Sequence, residues 1–209
     1  MQKPYVIGIC GGSGSGKTTI VHLALKAFEA DKICLLSQDD FYIPREKQEK
    51  DSNGVIDFDR LTSIDLEKFQ ASLDQLINGE SLSLKEYVFN NAQSKAKIKQ
   101  IDSAPIIIVE GLFILHSDSL KDIMDLTVFV DTKDSLKVIR RIHRDQKERN
   151  YPLDDVLYRY ENHVLPSYLK YIEPYKQEVD MIINNNGDVK KAASLLSKLI
   201  KGVVGSFKD

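Results

Sequence analysis

Five short runs of apolar, largely β-branched residues recur along the chain, at Tyr5 to Cys10, Lys32 to Ser37, Pro105 to Val109, Leu126 to Val130 and Val179 to Ile183. Each run is continuous rather than alternating, which is the pattern of a strand buried on both faces. Helical patterns separate them. Thr18 to Ala30 places Ile20, Val21, Leu23, Ala24, Ala27 and Phe28 at helical intervals, and Asp134 to Arg149 reads as a second, strongly charged helix. The alternation predicts an α/β fold, a central five-stranded parallel sheet flanked by helices. Ligands of such a sheet sit beyond the carboxyl ends of its strands.

One region departs from plain alternation. Thr62 to Asn78 reads as a helix, with Thr62 and Asp65 suited to a capping box and Gly79 to a C-terminal stop. Ser81 to Val88 and Lys95 to Ile101 then read as the arms of an inserted β-hairpin over about 81–101, turning around Asn90 and Asn91. Tyr87 and Phe89 fall on one face of its first arm, either as an aromatic clamp over a ligand or as packing onto the body. Asn184 to Gly187 is a polar turn before the last helix, and no internal repeat or low-complexity segment interrupts the pattern.

Composition narrows the class. A chain of 209 residues, 42% hydrophobic and 29% charged, fits one soluble α/β domain spanning residues 1–209 with a small insert. A net charge of −2 argues against nucleic-acid or membrane-surface binding, which usually show a basic excess. Cys10 and Cys34 both lie in strand-like runs, where buried thiols are expected, and a reducing cytoplasm fits them. The N-terminus MQKPYVIGIC has no apolar run resembling a cleaved signal, and no stretch approaches a membrane span.

The chemistry begins in GICGGSGSGKTT, Gly8 to Thr19. Gly11, Gly16, Lys17 and Thr18 fit the spacing of a phosphate-binding loop, and strand, loop and helix follow in the order it requires. In such a loop successive amides, here along Gly11, Gly12, Ser13, Gly14, Ser15, Gly16, Lys17, Thr18 and Thr19, surround a polyphosphate. The Lys reaches the outer phosphates and the Thr hydroxyl faces Mg²⁺. Acids follow the other strands: Asp39 and Asp40 after the second, Glu110 after the third, Asp131 after the fourth. Asp39 suits a base that takes the acceptor's proton and also faces the metal, and Glu110 suits a metal carboxylate. In DSLKVIRRIHRDQKER, Lys137, Arg141 and Arg144 share a helical face, Arg140 pairs with Arg144, and Arg149 follows. A solvated basic face is the plain alternative; beside a phosphate loop the pattern points to an arginine-rich lid over about 134–150 that excludes water. His22, His116, His143 and His163 show no metal-ligand spacing.

Together these residues resemble the uridine kinase (uridine-cytidine kinase) family of P-loop kinases. The resemblance is carried by GGSGSGKTT, SQDDFY at 37–42, DFDRLTSID at 57–65, YVF at 87–89, VEGLFIL at 109–115, DTKDSLKVIRRIHRDQKER at 131–149 and YIEPYKQEVDMII at 171–183. It implies a P-loop nucleoside triphosphate hydrolase-type fold, ATP as donor, Mg²⁺, transfer of the γ-phosphate to a nucleoside 5′-hydroxyl, and a homotetramer. Carried over, Asp39 is the base with Tyr42 beside it, and Lys17 and Arg144 join it in catalysis. Asp59 and Arg141 hold the ribose hydroxyls, Tyr87 and Phe89 contact the base, and Arg144 and Arg149 are lid residues near the phosphates. Thr18, Asp39 and Glu110 face the metal. Ala92, Tyr151 and Arg159 stand where the family has a His, an Arg and a Gln that read the pyrimidine, and Phe58-Asp59-Arg60-Leu61 replaces FDHP. Phosphate and ribose handling are thus retained while base-reading groups change. That leaves two further readings: a kinase for a sugar phosphate or pantothenate-like acid held by Arg60 and Arg159, and a nucleotide-dependent regulatory protein. The chain has no N-K-x-D guanine signature for a GTPase-type switch.

Overall fold

The computed structural model describes residues 3–29, 31–90 and 96–206. Ala30, the turn position Asn91, Ala92 and Lys95 therefore lie outside the described residues. The chain runs β1 (Tyr5–Cys10), α1 (Lys17–Leu25), β2 (Ile33–Ser37), α2 (Leu66–Ile77), β3 (Leu82–Lys85), β4 (Ile98–Ile101), β5 (Ile106–Gly111), α3 (Asp118–Lys121), β6 (Leu126–Asp131) and α4 (Asp134–Lys147), then α5 (Leu153–Arg159), α6 (Leu165–Tyr171), β7 (Met181–Asn184) and α7 (Val189–Ser206).

The central sheet has the order β2-β5-β1-β6-β7, with every neighbouring pair parallel. β2, β5, β1 and β6 are apolar on successive residues because both faces are covered, whereas the edge strand β7 buries only Ile183 and leaves Met181 and Ile182 exposed, so the run at Val179 to Ile183 is not the buried strand its pattern predicts. In β1, Val6 faces the core shared with α2, while Ile7 and Ile9 face the core shared with α1 and α7. β5 divides the same way, Ile107 and Val109 to one side and Ile106 and Ile108 to the other. Each such side chain, fully withdrawn from water, contributes about 1.5–3 kcal/mol, so the middle strands hold the frame on which the site is mounted. Cys10 in β1 and Cys34 in the edge strand β2 are free and buried, and burial pushes their thiols up to about 12 and about 11. Among the described residues no helix is long and apolar enough to cross a membrane.

Element ends differ from the sequence pattern where backbone groups have other partners. α1 stops at Leu25, because the next N–H groups turn back three residues, Ala27 to Ala24 at 3.3 Å and Phe28 to Leu25 at 3.1 Å. α2 starts at Leu66 with Asp65 as its cap, its carboxylate accepting from the Lys68 amide at 2.9 Å; Thr62 lies in a separate short turn. The helix does not begin earlier because the Ser63 carbonyl already accepts from Ile43 N and Gln48 Nε2, both at 3.0 Å. Gly79 at φ +84° ends α2 as expected. The inserted hairpin is shorter than its apolar pattern, β3 pairing antiparallel with β4 from Leu82–Ile101 to Lys85–Ile98. Its Lys99 ammonium lies 2.9 Å from both Asp40 oxygens, which ties the insert to the end of β2.

Candidate active site

The loop from Gly11 to Thr19 joins β1 to the N-terminus of α1. Gly16 caps α1 with a left-handed backbone at φ +87°. At Gly14, φ is +80° and a Cβ would stand 2.4 Å from the Lys137 carbonyl oxygen, so a side chain is excluded by both backbone angle and space. The loop is braced from below through the Ser15 carbonyl, which accepts from Asn185 Nδ2 at 2.8 Å, Thr132 Oγ1 at 3.0 Å and Arg140 Nη1 at 3.3 Å. Two basic residues of the predicted lid are otherwise engaged. Arg140 holds the loop backbone, and Lys137, buried, pairs with Asp134 at 2.7 Å and stacks 3.5 Å from the Tyr168 ring centroid.

The carboxylates separate into two groups. Glu110, 1% exposed near the end of β5, accepts from Ser37 Oγ at 2.7 Å and from Thr18 Oγ1 at 3.3 Å on both oxygens. Burial raises its carboxyl above the ordinary range, against the opposing pull of Lys17, and Asp39 adds to the rise. The adjacent Gly111 would place a Cβ 2.5 Å from the Gln38 side chain, whose Oε1 accepts from Phe113 N, so the strand end passes too close for a larger residue. Asp39 lies in the short turn Gln38–Phe41 that follows β2. Asp131 is not part of this group; it pairs with Lys176 at 2.9 Å. Among the described residues no group of three His, Cys, Asp or Glu side chains is arranged to hold a metal, so any cation here depends on the Thr18 hydroxyl beside Glu110 and Asp39. That all-oxygen donor set suits a hard cation such as Mg²⁺.

Two cavities meet at this point. A narrow pocket of about 70 Å³ includes Tyr42, Phe58, Asp59, Arg141, Tyr151 and Arg159 in its wall. A wider cavity of about 860 Å³ lies along Gly14, Gly16, Thr19 and the hairpin residues Tyr87 and Lys99. Lys17, Thr18, Asp39, Phe89, Arg144 and Arg149 line both. Aromatic rings form one wall: Tyr42 lies 5.3 Å from Tyr87 and 5.0 Å from Phe89 between centroids, and Phe58 lies 6.2 Å from Tyr42. The hairpin aromatics thus both pack on the body and face cavities. Burial pushes the Tyr42 hydroxyl well above its ordinary pKa. Asp59 is buried, its amide donating to Asp57 Oδ1 at 2.9 Å.

The cationic wall is organised by a residue absent from the sequence reading. Asp145, 2% exposed by side chain, has Arg144 Nε at 2.9 Å, Arg141 Nε at 3.1 Å and Arg149 Nη1 at 3.3 Å. Burial works to raise its carboxyl, but Arg144, Arg141 and Arg149 outweigh it and hold it below the ordinary range. The available signal was its spacing, four residues after Arg141 and four before Arg149 on one helical stretch. Arg141 also donates to Ser13 Oγ at 2.8 Å and lies 3.6 Å from Asp59 Oδ2, so it joins the phosphate loop to the narrow pocket. Arg149 lies 4.0 Å over the Phe89 ring, and its carbonyl accepts from Asn90 Nδ2 at 2.8 Å, which connects helix end to hairpin.

Of the three positions that depart from the family pattern, Ala92 is outside the described residues. Tyr151 accepts from Arg45 Nη1 at 3.2 Å, and the Arg159 guanidinium stacks 5.0 Å over the Tyr151 ring while Nη1 donates to the Ile56 carbonyl at 2.5 Å. Arg60 is paired with Glu49 at 2.5 Å and Asp57 at 2.9 Å.

Comparison with known proteins agrees with this arrangement. The chain is 37% identical to a uridine kinase of Lactobacillus helveticus, covering 98% of this chain and 97% of that one. It is 33% identical to a uridine kinase of Clostridium novyi over the full length of both. The solved phosphoribulokinase from Rhodobacter spheroides superposes with a TM-score of 0.64 at 18% identity, covering 90% of this chain and 73% of that one, which shows the shared fold. A family model matches residues 6–192, a span that takes in the phosphate loop, both cavities and the arginine helix, and the chain accordingly belongs to the Phosphoribulokinase / Uridine kinase family.

Proposed function

We propose that the protein is an ATP- and Mg²⁺-dependent kinase that phosphorylates the 5′-hydroxyl of uridine or cytidine. The observation that carries this reading is Asp39, which lines both cavities together with Lys17 and Thr18. An acceptor hydroxyl in the narrow pocket then meets the donor's outer phosphate beside a carboxylate. The loop amides and Lys17 hold the donor phosphates, and Asp39 accepts the proton of the attacking hydroxyl on a carboxylate oxygen. Arg144 and Arg149 face the charge that develops on the transferred group. Arg141 and Asp59 bind ribose hydroxyls, with Tyr42, Tyr87 and Phe89 against the base. Thr18, Asp39 and Glu110 would hold Mg²⁺, which would supply charge neutralisation for the phosphates. The uridine kinase relatives support the acceptor class. The pairing of Arg60 with Glu49 and Asp57 weighs against an acidic acceptor held by that residue.

We place the enzyme in the cytoplasm, on the strength of its two free buried thiols, and read it as one domain because its two cores pack on opposite faces of one sheet. We take its assembly to be the homotetramer that the family resemblance implies, which light scattering checks. The activity test is ATP consumption with Mg²⁺ across uridine, cytidine, purine nucleosides, ribulose 5-phosphate and pantothenate, with the phosphorylated product identified by mass. Turnover confined to pyrimidine nucleosides is expected. Exclusive turnover of an acidic acceptor overturns the proposed substrate while leaving the phosphoryl transfer in place.

A further inference from the structure

Beside the segment that leads to Phe58 and Asp59, a buried histidine stands between two carboxylates. His163 Nε2 lies 2.7 Å from Asp51 Oδ2, and its Nδ1 lies 3.7 Å from Asp57 Oδ1 with no hydrogen-bond partner. Its side chain is 2% exposed. Asp51 Oδ2 also accepts from the Tyr158 hydroxyl at 2.7 Å, so two side chains five residues apart converge on one oxygen atom.

Regular α-helix does not permit that convergence. At 3.6 residues per turn, residues five apart point about 140° away from each other. Here the helix is wound wider over Tyr160–Val164, where it closes with i to i+5 hydrogen bonds that bring such residues toward one side. The Tyr158 and His163 rings consequently meet edge to face at 5.8 Å. The local widening has a definite product, a paired donor set aimed at one loop carboxylate.

The loop so gripped leads to Phe58 and Asp59, which line the narrow pocket. Asp51 Oδ1 accepts from the amides of Asn53 and Val55, both at 2.9 Å, which closes the turn 51–55. Asp57, facing the other imidazole nitrogen, accepts the Asp59 amide and thereby sets where Phe58 and Asp59 enter the pocket. Burial tends to raise the Asp51 carboxyl. The hydrogen bonds from Tyr158 and His163 and from the Val55 and Asn53 amides hold it well below the ordinary carboxylate range instead. An ionised Asp51 keeps both donors engaged.

We propose that His163 is a positioning residue for the acceptor: through Asp51 it fixes the turn that leads to Phe58 and Asp59, and so governs acceptor affinity without acting on the donor. This rests on reading the narrow pocket as the acceptor site.

The test is steady-state kinetics of His163→Ala, His163→Gln and Tyr158→Phe with uridine and ATP, together with amide hydrogen exchange of the ligand-free proteins. In His163→Ala the uridine KM is expected to rise about tenfold while kcat and the ATP KM stay within twofold. The Asn53, Val55 and Asp59 amides should exchange faster, with the Ser15 and Ile20 amides unchanged. His163→Gln, which restores a donor toward Asp51, should recover the uridine KM to within threefold. A loss shared equally by ATP and uridine KM, no rescue by Gln, or unchanged exchange at 53–59 overturns the proposal. If His163→Ala does not fold, Tyr158→Phe removes the other donor to the same oxygen and is read by the same criteria. A wild-type protein inert with uridine contradicts the function assigned above. The exchange data and the KM for whichever acceptor is turned over then still decide the role of His163.

Discussion

Replacing Asp145 by Asn removes the negative charge that Arg141, Arg144 and Arg149 share while keeping the side chain's shape. Their nitrogens lie 3.1, 2.9 and 3.3 Å from the carboxylate, whose side chain is 2% exposed. Breaking a buried ion pair by removing one partner costs about 3–5 kcal/mol. Arg144 is 31% exposed and Arg149 17%, so water recovers part of that, and about 3 kcal/mol is the expected loss at neutral pH. For a chain of this length that lowers Tm by roughly 6–12 °C. The pH dependence has a fixed sign. The folded-state pKa of Asp145 is depressed, so its contribution is complete above the ordinary carboxylate value of 3.8 and is lost as pH falls toward the depressed value. Urea denaturation of both proteins should therefore show a gap that is constant from pH 7.5 to about 5 and narrows from pH 5 to 3. A gap below about 1 kcal/mol at pH 7.5, or one that stays constant or widens in acid, refutes the hub.

Three further outcomes follow from the same geometry. Asp39→Asn should lower kcat by about 10²–10⁴ while ATP affinity, read by calorimetry, stays within threefold. Gly14→Ala, forced to φ +80° with its Cβ 2.4 Å from the Lys137 carbonyl oxygen, should lower Tm by several degrees and abolish the thermal shift on adding ATP with Mg²⁺. Phe89→Ala removes the ring beneath Arg149 and a wall of the narrow pocket, so the acceptor KM should rise about tenfold with a smaller change in the ATP KM.

The parallel sheet was legible because buried strands leave continuous apolar runs, and the phosphate loop because its glycines have no substitute at those backbone angles. What escaped the reading was set by partners distant in sequence. Lys137 and Arg140 share their helix with Arg141 and Arg144, yet their destinations, the Tyr168 ring and the Ser15 carbonyl, come from other parts of the chain. Asp131 follows a strand as Asp39 does, but Lys176 takes its charge. Thr62 has the composition of a cap, and the earlier commitment of the Ser63 carbonyl moves the helix start to Asp65. His163 gave no signal because the wide turn that aims it at Asp51 departs from the 3.6-residue period on which helical patterns are read. Asp145 was visible in its spacing, but its burial depends on how α4 packs.

The measurement that tests the central claim most directly is ³¹P NMR of the purified protein turning over ATP with uridine and Mg²⁺. Uridine 5′-monophosphate should appear in step with ADP, with free phosphate only a minor product, if the phosphate loop and Asp39 act as proposed in bringing the donor to a bound acceptor hydroxyl. ATP consumed to ADP and free phosphate, with no phosphorylated nucleoside, would contradict the account.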